Sequence, residues 1–357
     1  MIWIVVVLAG AALIYLERRW AEYVLDFLRI TGDGSAILTA PGETVSWTCC
    51  TENHSRLPVP FVRLELRFPN ELVPDHRDQW VRTHSHEGLQ KWHLEERLAL
   101  GSRQSRSRKV TFVPSRRGSY TVGACRVSAG DLLGFQEKSM EVPGGNLVVM
   151  PEAAKSAQSV TAVSGFLGDL SVRRFILEDP ILTVGFRDYT GREPMKDVSW
   201  TRTAITGKLQ VKQYDYTAEQ TVTVLLNVEG GNEEELEGCF RLMRSVCQTL
   251  ENKKIPFAMA TNGNLPGPVS KLFHLSEGLG DQHLNTILYG LGRADYTCYH
   301  SFHHLVRKTL DRRKQSESYI VITPNPAAAL MPDIRLLETA SGSPVCVLYG
   351  TWEVEQA

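Results

Sequence analysis

The sequence predicts an α+β multidomain chain. An N-terminal transmembrane helix over residues 1–20 comes first, then an antiparallel β-sandwich-like domain over 30–150, a connecting segment over 151–220, and an α/β domain with a parallel sheet over 221–357. Three observations predict it. The first sixteen residues carry no charge. Short alternating segments divided by Pro, Gly, Asn and Ser fill the stretch from about 34 to 150. From about residue 220 the apolar period lengthens from two to three and four.

The anchor is "MIWIVVVLAGAALIYL", followed at once by Glu17, Arg18, Arg19 and Trp20. A helix needs about 20 residues to cross the hydrocarbon core, with a lower limit of about 17. The run is therefore short, and Trp20 and Tyr23 are expected at the interface. A cleaved signal peptide would carry its basic residues before the apolar run, whereas here they follow it. Arg18 and Arg19 place the rest of the chain inside by the positive-inside rule, giving a single-pass cell-membrane protein with a cytoplasmic C-terminal body. Seven scattered cysteines, with Cys49 and Cys50 adjacent and no CxxC pair, exclude a Cys-pair zinc or redox motif and fit reduced thiols in that compartment.

Through the second region, "SAILTA", "ETVSWTCCTEN", "FVRLELRF", "KWHLEERLAL", "RKVTFVP", "SYTVGACRVSAG" and "NLVVM" read as strands, with turn chemistry in "TAPGE" and "SRRG". That spacing is what a sandwich or barrel gives. Arg103, Arg106, Arg108, Lys109, Arg116 and Arg117 lie close together without an acid among them. Such a run is usually a solvated rim; an acidic protein partner or inner-leaflet lipid is the functional alternative, with Arg116 and Arg117 as contact candidates. The chain as a whole carries a net charge of -1 at 22% charged and 43% hydrophobic residues, so nothing global favours nucleic acid as a partner.

The third region opens with "TVTVLLNVEGGNEEE". A mostly apolar strand runs into a glycine turn, and Asn232 with Glu235 forms a capping-box signature for the helix that follows. Leu236, Phe240, Met243, Val246, Cys247 and Leu250 then recur at three and four as a buried face. "IPFAMA", "YIVIT" and "PVCVLYG" read as further strands. "DQHLNTILYGLGRAD", "TCYHSFHHLVRKTLDRRK" and "DIRLLETASG" read as helices, with Leu284, Ile287, Leu288, Leu291, Tyr299, Phe302, Val306 and Leu310 inward. Alternating strand and helix implies a parallel sheet whose ligands bind beyond the strand carboxyl ends.

Within the connecting segment, "RRFILEDPILTVGFRDYTGREPMKDVSWTRTAITGKLQVKQYD" resembles the signature of the bacterial and archaeal family known as domain of unknown function 58. Tyr189, Glu193, Lys196, Val198, Trp200 and Ala204 fit its pattern; Ser199 and Ile205 depart from it. "SRRGSYTVGACRVSAGDLLGF" resembles that family's upstream segment. The resemblance implies a von Willebrand factor A-like domain behind a β-domain, and a MoxR-type AAA+ ATPase as partner. It also implies the place of a Mg²⁺ site, an Asp-x-Ser-x-Ser run after the first strand. Here Asn227, Glu229 and Gly231 stand there, and Pro324 and Asn325 follow the strand "YIVIT" where an aspartate would help. Mg²⁺ demands octahedral oxygen ligation, which this set does not supply. The expectation is therefore no metal and no cofactor, with Glu229, Asn232, Thr323 and Asn325 as candidates for a docking rim.

Other chemistry is sparse. His300 and His304 are four apart with no acid between them as in HExxH, "GDGS" and "GLGD" lack the rest of a phosphate loop, and no Gly-x-Ser-x-Gly elbow exists. Trp200 reads as a core anchor, with Asp197 capping a short helix that Gly207 ends. The functional expectation is a non-enzymatic, membrane-tethered adaptor, held to the membrane by its N-terminal helix and working with a MoxR-type ATPase in assembling a membrane or envelope complex. A hydrolase or phosphate-binding enzyme at the strand rim and a structural envelope component are the alternatives.

Overall fold

The computed structural model describes residues 23–32, 37–84, 90–130, 137–174, 183–214, 221–264, 273–313 and 317–354, with isolated positions between 3 and 19. No helix among the described residues is long and apolar enough to cross a membrane. The expected transmembrane helix and the single-pass, cytosol-facing localisation built on it are therefore corrected. The sequence shows the physical reason, because sixteen uncharged residues end at Glu17 and Arg18, short of the roughly 20 that a span needs. Most of residues 1–20 lie outside the described residues, as do residues 131–136 at the end of the upstream segment and the start of the signature at 175–182.

The chain divides into two compact units, residues 1–152 with 291–293, and residues 153–290 with 294–357. The first holds β1 (Leu28–Gly32), β2 (Ile37–Thr39), β3 (Val45–Asn53), β4 (Val59–Pro69), β5 (Leu72–Pro74), β6 (Val81–His84), β7 (Gln90–Leu100), β8 (Ser105–Pro114), β9 (Gly118–Val122), β10 (Cys125–Gly130), β11 (Glu137–Val142) and β12 (Gly145–Val149). They form sheets ordered β1-β3-β8-β5, β11-β10-β4-β7-β6 and β2-β12-β9. All pairs are antiparallel except β2 with β12.

Alternation decides the core. Along β3, Val45, Trp47 and Cys49 are buried at every second position, as the pleat requires. Phe68 meets Trp47 at 6.1 Å and Trp80 at 5.2 Å edge-on, and Phe112 at 5.5 Å with tilted rings, so strands of the two larger sheets share one aromatic centre. The stretch "SYTVGACRVSAG" breaks into two strands in different sheets. Gly123 makes the break with φ +79, and a Cβ there would run into the Trp47 indole. Among the basic residues, Arg108 donates to Gln79 Oε1 at 2.7 Å and pairs with Glu96 at 3.5 Å. Arg116 and Arg117 also have partners within the chain, so neither is a free cation awaiting a ligand.

The second unit holds α1 (Ala157–Arg174), β13 (Thr183–Asp188), α2 (Trp200–Thr206), β14 (Gln210–Tyr214), β15 (Thr221–Leu226), α3 (Glu233–Asn252), β16 (Phe257–Thr261), β17 (Phe273–Gly278), α4 (Asp281–Arg293), α5 (Phe302–Asp311), β18 (Glu317–Thr323), α6 (Met331–Ser341), β19 (Cys346–Tyr349) and α7 (Thr351–Val354). Its main sheet is ordered β17-β16-β15-β18-β19. Every residue of β15 is buried, as a central strand covered on both faces must be.

The expected parallel sheet is corrected at one edge, where β17 runs antiparallel to β16. Eleven residues, 262–272, join those strands, fewer than the dozen or more that a parallel crossover takes. The chain as described is strand-rich, with five separate sheets, rather than a membrane helix followed by a sandwich and one parallel Rossmann-type sheet.

Local signals hold where they are strongest. Glu235 N donates to Asn232 Oδ1 at 2.9 Å and Asn232 N to Glu235 Oε2 at 3.1 Å, completing the capping box of α3. By contrast α1 is capped from far along the chain. The carboxylate of Glu353, 1% exposed, accepts from Lys155 N at 2.8 Å and Ser156 N at 3.0 Å. A carboxylate at the backbone N–H groups just before the helix start satisfies those donors and is favoured by the positive end of the helix dipole.

Candidate functional site

The strand rim is where ligand chemistry was expected, and its polar groups are already spent on one another. Asn227 is fully buried at the end of β15. Its Nδ2 donates to Thr323 Oγ1 at 3.1 Å, while its Oδ1 accepts from Asn262 Nδ2 at 2.7 Å and Glu229 N at 3.0 Å. Asn262 Oδ1 in turn accepts from Val228 N at 2.9 Å. A buried amide so engaged locks three loops together. Thr323 is 1% exposed and cannot touch a partner.

Glu229 is exposed yet occupied, since its Oε2 accepts from Phe302 N at 2.7 Å at the start of α5. Ser301 caps the same helix through His304 N at 3.3 Å. Asn232 belongs to the capping box, and Asn325 reaches Gly230 O at 3.4 Å. At Gly231 a Cβ would lie 2.5 Å from Pro324 Cβ and 2.6 Å from its Cγ. The ring is stiff, so the serine of a Mg²⁺-binding run has no room here. The residues at these three positions do not fit the ion that the resemblance implies: one oxygen is saturated, one carboxylate serves a helix, and one side chain is sterically barred.

Neighbouring chemistry also turns inward. Cys298 Sγ donates to the His300 carbonyl at 3.1 Å, and burial pushes its thiol pKa up. His300 precedes α5 rather than lying on it, its ring 5.1 Å from that of His304. His303 Nδ1 pairs with Asp333 Oδ1 at 2.6 Å. Among the described residues no three His, Cys, Asp or Glu side chains converge as metal ligands. Tyr299, expected inward, is 46% exposed. The thiols of Cys239, Cys247 and Cys346 are raised by burial, the last to about 12, which removes them from thiolate chemistry.

The signature segment behaves in the opposite way. β13 and β14 pair antiparallel, and α2 lies between them in sequence. Tyr189 N donates to Leu209 O at 2.9 Å, Ser199 N to Gln210 O at 2.8 Å, and Gln210 N to Thr203 Oγ1 at 3.1 Å. These bonds tie the helix to the hairpin. Glu193 closes the turn, accepting from Thr190 N at 3.0 Å and Thr190 Oγ1 at 2.8 Å, and pairing with Arg187 at 3.1 Å. The Thr190 donors, with a smaller contribution from the Arg187 charge, hold its carboxyl at about 2, well below the usual carboxylate range.

The expectation that Trp200 is a core anchor is overturned, because its side chain is 61% exposed. Ser199, not Asp197, stands at the N-cap position, and its side chain makes no capping bond. Gly207 does end the helix, in the left-handed conformation. Phe186 (39%), Met195 (53%), Ile205 (72%) and Leu209 (38%) are exposed on the same unit, and the Arg202 guanidinium lies over the Phe186 ring at 5.0 Å. Lys196 and Ala204 are exposed as well. Of these, the signature pointed to Trp200, Lys196 and Ala204, while Phe186, Met195, Arg202 and Leu209 were missed. The available signal was a density of large apolar residues that follows neither a strand nor a helix period.

In unit 1 a surface hollow of about 590 Å³ is lined by Arg67, Lys91, Tyr120, Arg126 and Glu141 among others. Arg126 pairs with Glu141 at 3.0 Å and Arg67 with Glu65 at 3.1 Å, so most of its charge is neutralised in place.

No family model matches the chain, and no curated protein matches it. Among solved structures it is similar over 34% of its length to AvmM, which catalyses macrocyclization in alchivemycin A biosynthesis, at 15% identity, 90% of that chain and a TM-score of 0.23. It is similar over 34% to a CARDB domain from Pyrococcus furiosus, at 11% identity, 84% of that chain and a TM-score of 0.20. A non-cellulosomal cohesin from Archaeoglobus fulgidus matches over 34% at 18% identity, 90% of that chain and a TM-score of 0.21. With scores this low, the fold rests on the strand pairing of the chain itself.

Proposed function

We propose that the chain is a protein-interaction module, an adaptor without a catalytic step of its own, that docks its partner on the β13–α2–β14 unit. The observation that carries this reading is the exposure of Trp200 together with Phe186, Met195, Ile205 and Leu209 within 24 residues. Isolated exposed apolar side chains are ordinary, but five large ones within one short β–α–β unit are not, and exposed apolar surface of this kind is the usual mark of an interaction site. Tryptophan and arginine are also the residue types that dominate binding energy at interfaces. The resemblance of the signature to domain of unknown function 58 supports a MoxR-type AAA+ ATPase as the partner, with assembly of a larger complex as the role.

The test compares the full chain with its Trp200→Ala variant, by calorimetric titration against the MoxR-type ATPase of the same genome and by urea unfolding. The expected result is binding weakened by about tenfold or more while stability moves by less than about 0.5 kcal/mol. Unchanged affinity, or a loss of several kcal/mol in stability, overturns the reading.

A further inference from the structure

Resting on that docking face, we infer that its partner presents an acidic segment whose carboxylates flank aromatic or aliphatic anchors. Residues 183–214 contain six cations, Arg187, Arg192, Lys196, Arg202, Lys208 and Lys212, against three acids, Asp188, Glu193 and Asp197. The acids are consumed within the chain: Glu193 by Thr190 and Arg187, Asp188 by Gln210, and Asp197 by a partner of its own. Arg192, Lys196 and Lys208 are exposed and make no ion pair among the described residues. Arg202 lies over the Phe186 ring and is itself exposed.

Exposed apolar side chains interspersed with cations that make no ion pair among the described residues select by charge as well as by shape. A basic or neutral ligand gains only the apolar contacts, whereas a carboxylate beside an anchor gains a charge-assisted bond to Arg202 or to those cations as well. Phosphate backbones would meet the same cations. The net charge of -1 over the whole chain, however, gives nucleic acid no long-range attraction.

The test pans a random phage-displayed peptide library on the full chain and measures labelled winners by fluorescence anisotropy. Binding is compared with Trp200→Ala and with the double variant Lys196→Glu/Lys208→Glu. Acidic winners with apolar anchors are expected, weakened about tenfold or more by the charge reversal and progressively by added salt. Neutral or basic winners that still need Trp200 overturn the acidic class and leave the docking face standing. Winners indifferent to both variants overturn the face as well. A panning that enriches nothing overturns the acidic-segment inference. Tighter binding of a single-stranded homopolymeric RNA through the same cations overturns it in favour of nucleic acid. Dimerisation in sedimentation that both variants abolish overturns it in favour of a second copy of the chain.

Discussion

The rim around Asn227 and the unit around Trp200 use their side chains in opposite ways. At the rim, residues of ligand-binding type are turned on one another: Asn227 is fully buried, Thr323 is 1% exposed, and Glu229 holds a helix start. On the signature unit, residues of core-forming type face solvent, with Trp200 at 61% and Ile205 at 72% exposure. Residue type therefore misled in both places, and in opposite directions. A polar side chain is available for function only if its hydrogen bonds are not already made. An apolar one is structural only if something packs on it.

Breaking the rim has the largest expected effect. Asn227→Ala removes the partner of Thr323, Asn262 and the Glu229 N–H in a dry environment. At about 1 to 3 kcal/mol per stranded group, a cost of about 3 to 5 kcal/mol is expected in urea unfolding. A loss below 1 kcal/mol would show that water replaces the amide freely. Next comes Gly231→Ala, which forces a methyl against Pro324 and should cost about 1 to 3 kcal/mol, as overpacking does. A neutral result would mean that the Pro324 loop yields, and with it the steric bar to a metal ligand.

The signature unit should respond to acid before it responds to truncation. Glu193 has its carboxyl depressed to about 2, chiefly by the Thr190 donors. A depressed acid contributes stability that is complete above its unfolded value, near 4.5, and lost as pH falls through the folded value. The hairpin should thus loosen between about pH 4.5 and 2, followed through the Glu193 carboxyl resonance and Thr190 amide exchange, and Glu193→Gln should remove that dependence. A Glu193 titration midpoint near 4.5 in the folded protein would contradict the assignment.

Smaller still is Ile205→Asp, which should shift the unfolding midpoint by less than about 0.5 kcal/mol because the side chain already meets water. A large loss would put Ile205 in a packed interior and erase the contrast. The smallest effect of all belongs to Mg²⁺. A metal bound only by the native fold at a hundredfold excess over its dissociation constant would add about 2.7 kcal/mol. With Asn227 saturated and Gly231 barred, millimolar Mg²⁺ should leave the melting curve in place.

Local structure was legible wherever the signal is short-range. The alternation of β3, the capping box of Asn232 and Glu235, the 3.6-residue face of α3 and the Gly207 helix end each depend on residues within a turn or two of one another. The candidate site was legible only as a place. Asn227, Glu229 and Gly231 sit at the end of β15 as expected, but their occupation by Asn262, Phe302 and Pro324 comes from other loops. The same holds for α1, hidden in the sequence as a connecting segment and capped by Glu353, 197 residues from Ser156.

The sequence by itself determined the strand-rich first unit, the change of period near residue 220, and the absence of a carboxylate at Asn227. Pleat, helix pitch and ligand chemistry are properties of a few neighbouring residues. Only the tertiary structure decided that β17 reverses against β16, that Pro324 closes over Gly231, and that Trp200 is 61% exposed. Burial and hydrogen-bond occupancy are set by what stands opposite a residue across the fold. Residues distant in the chain supply that surrounding, so no local pattern encodes it.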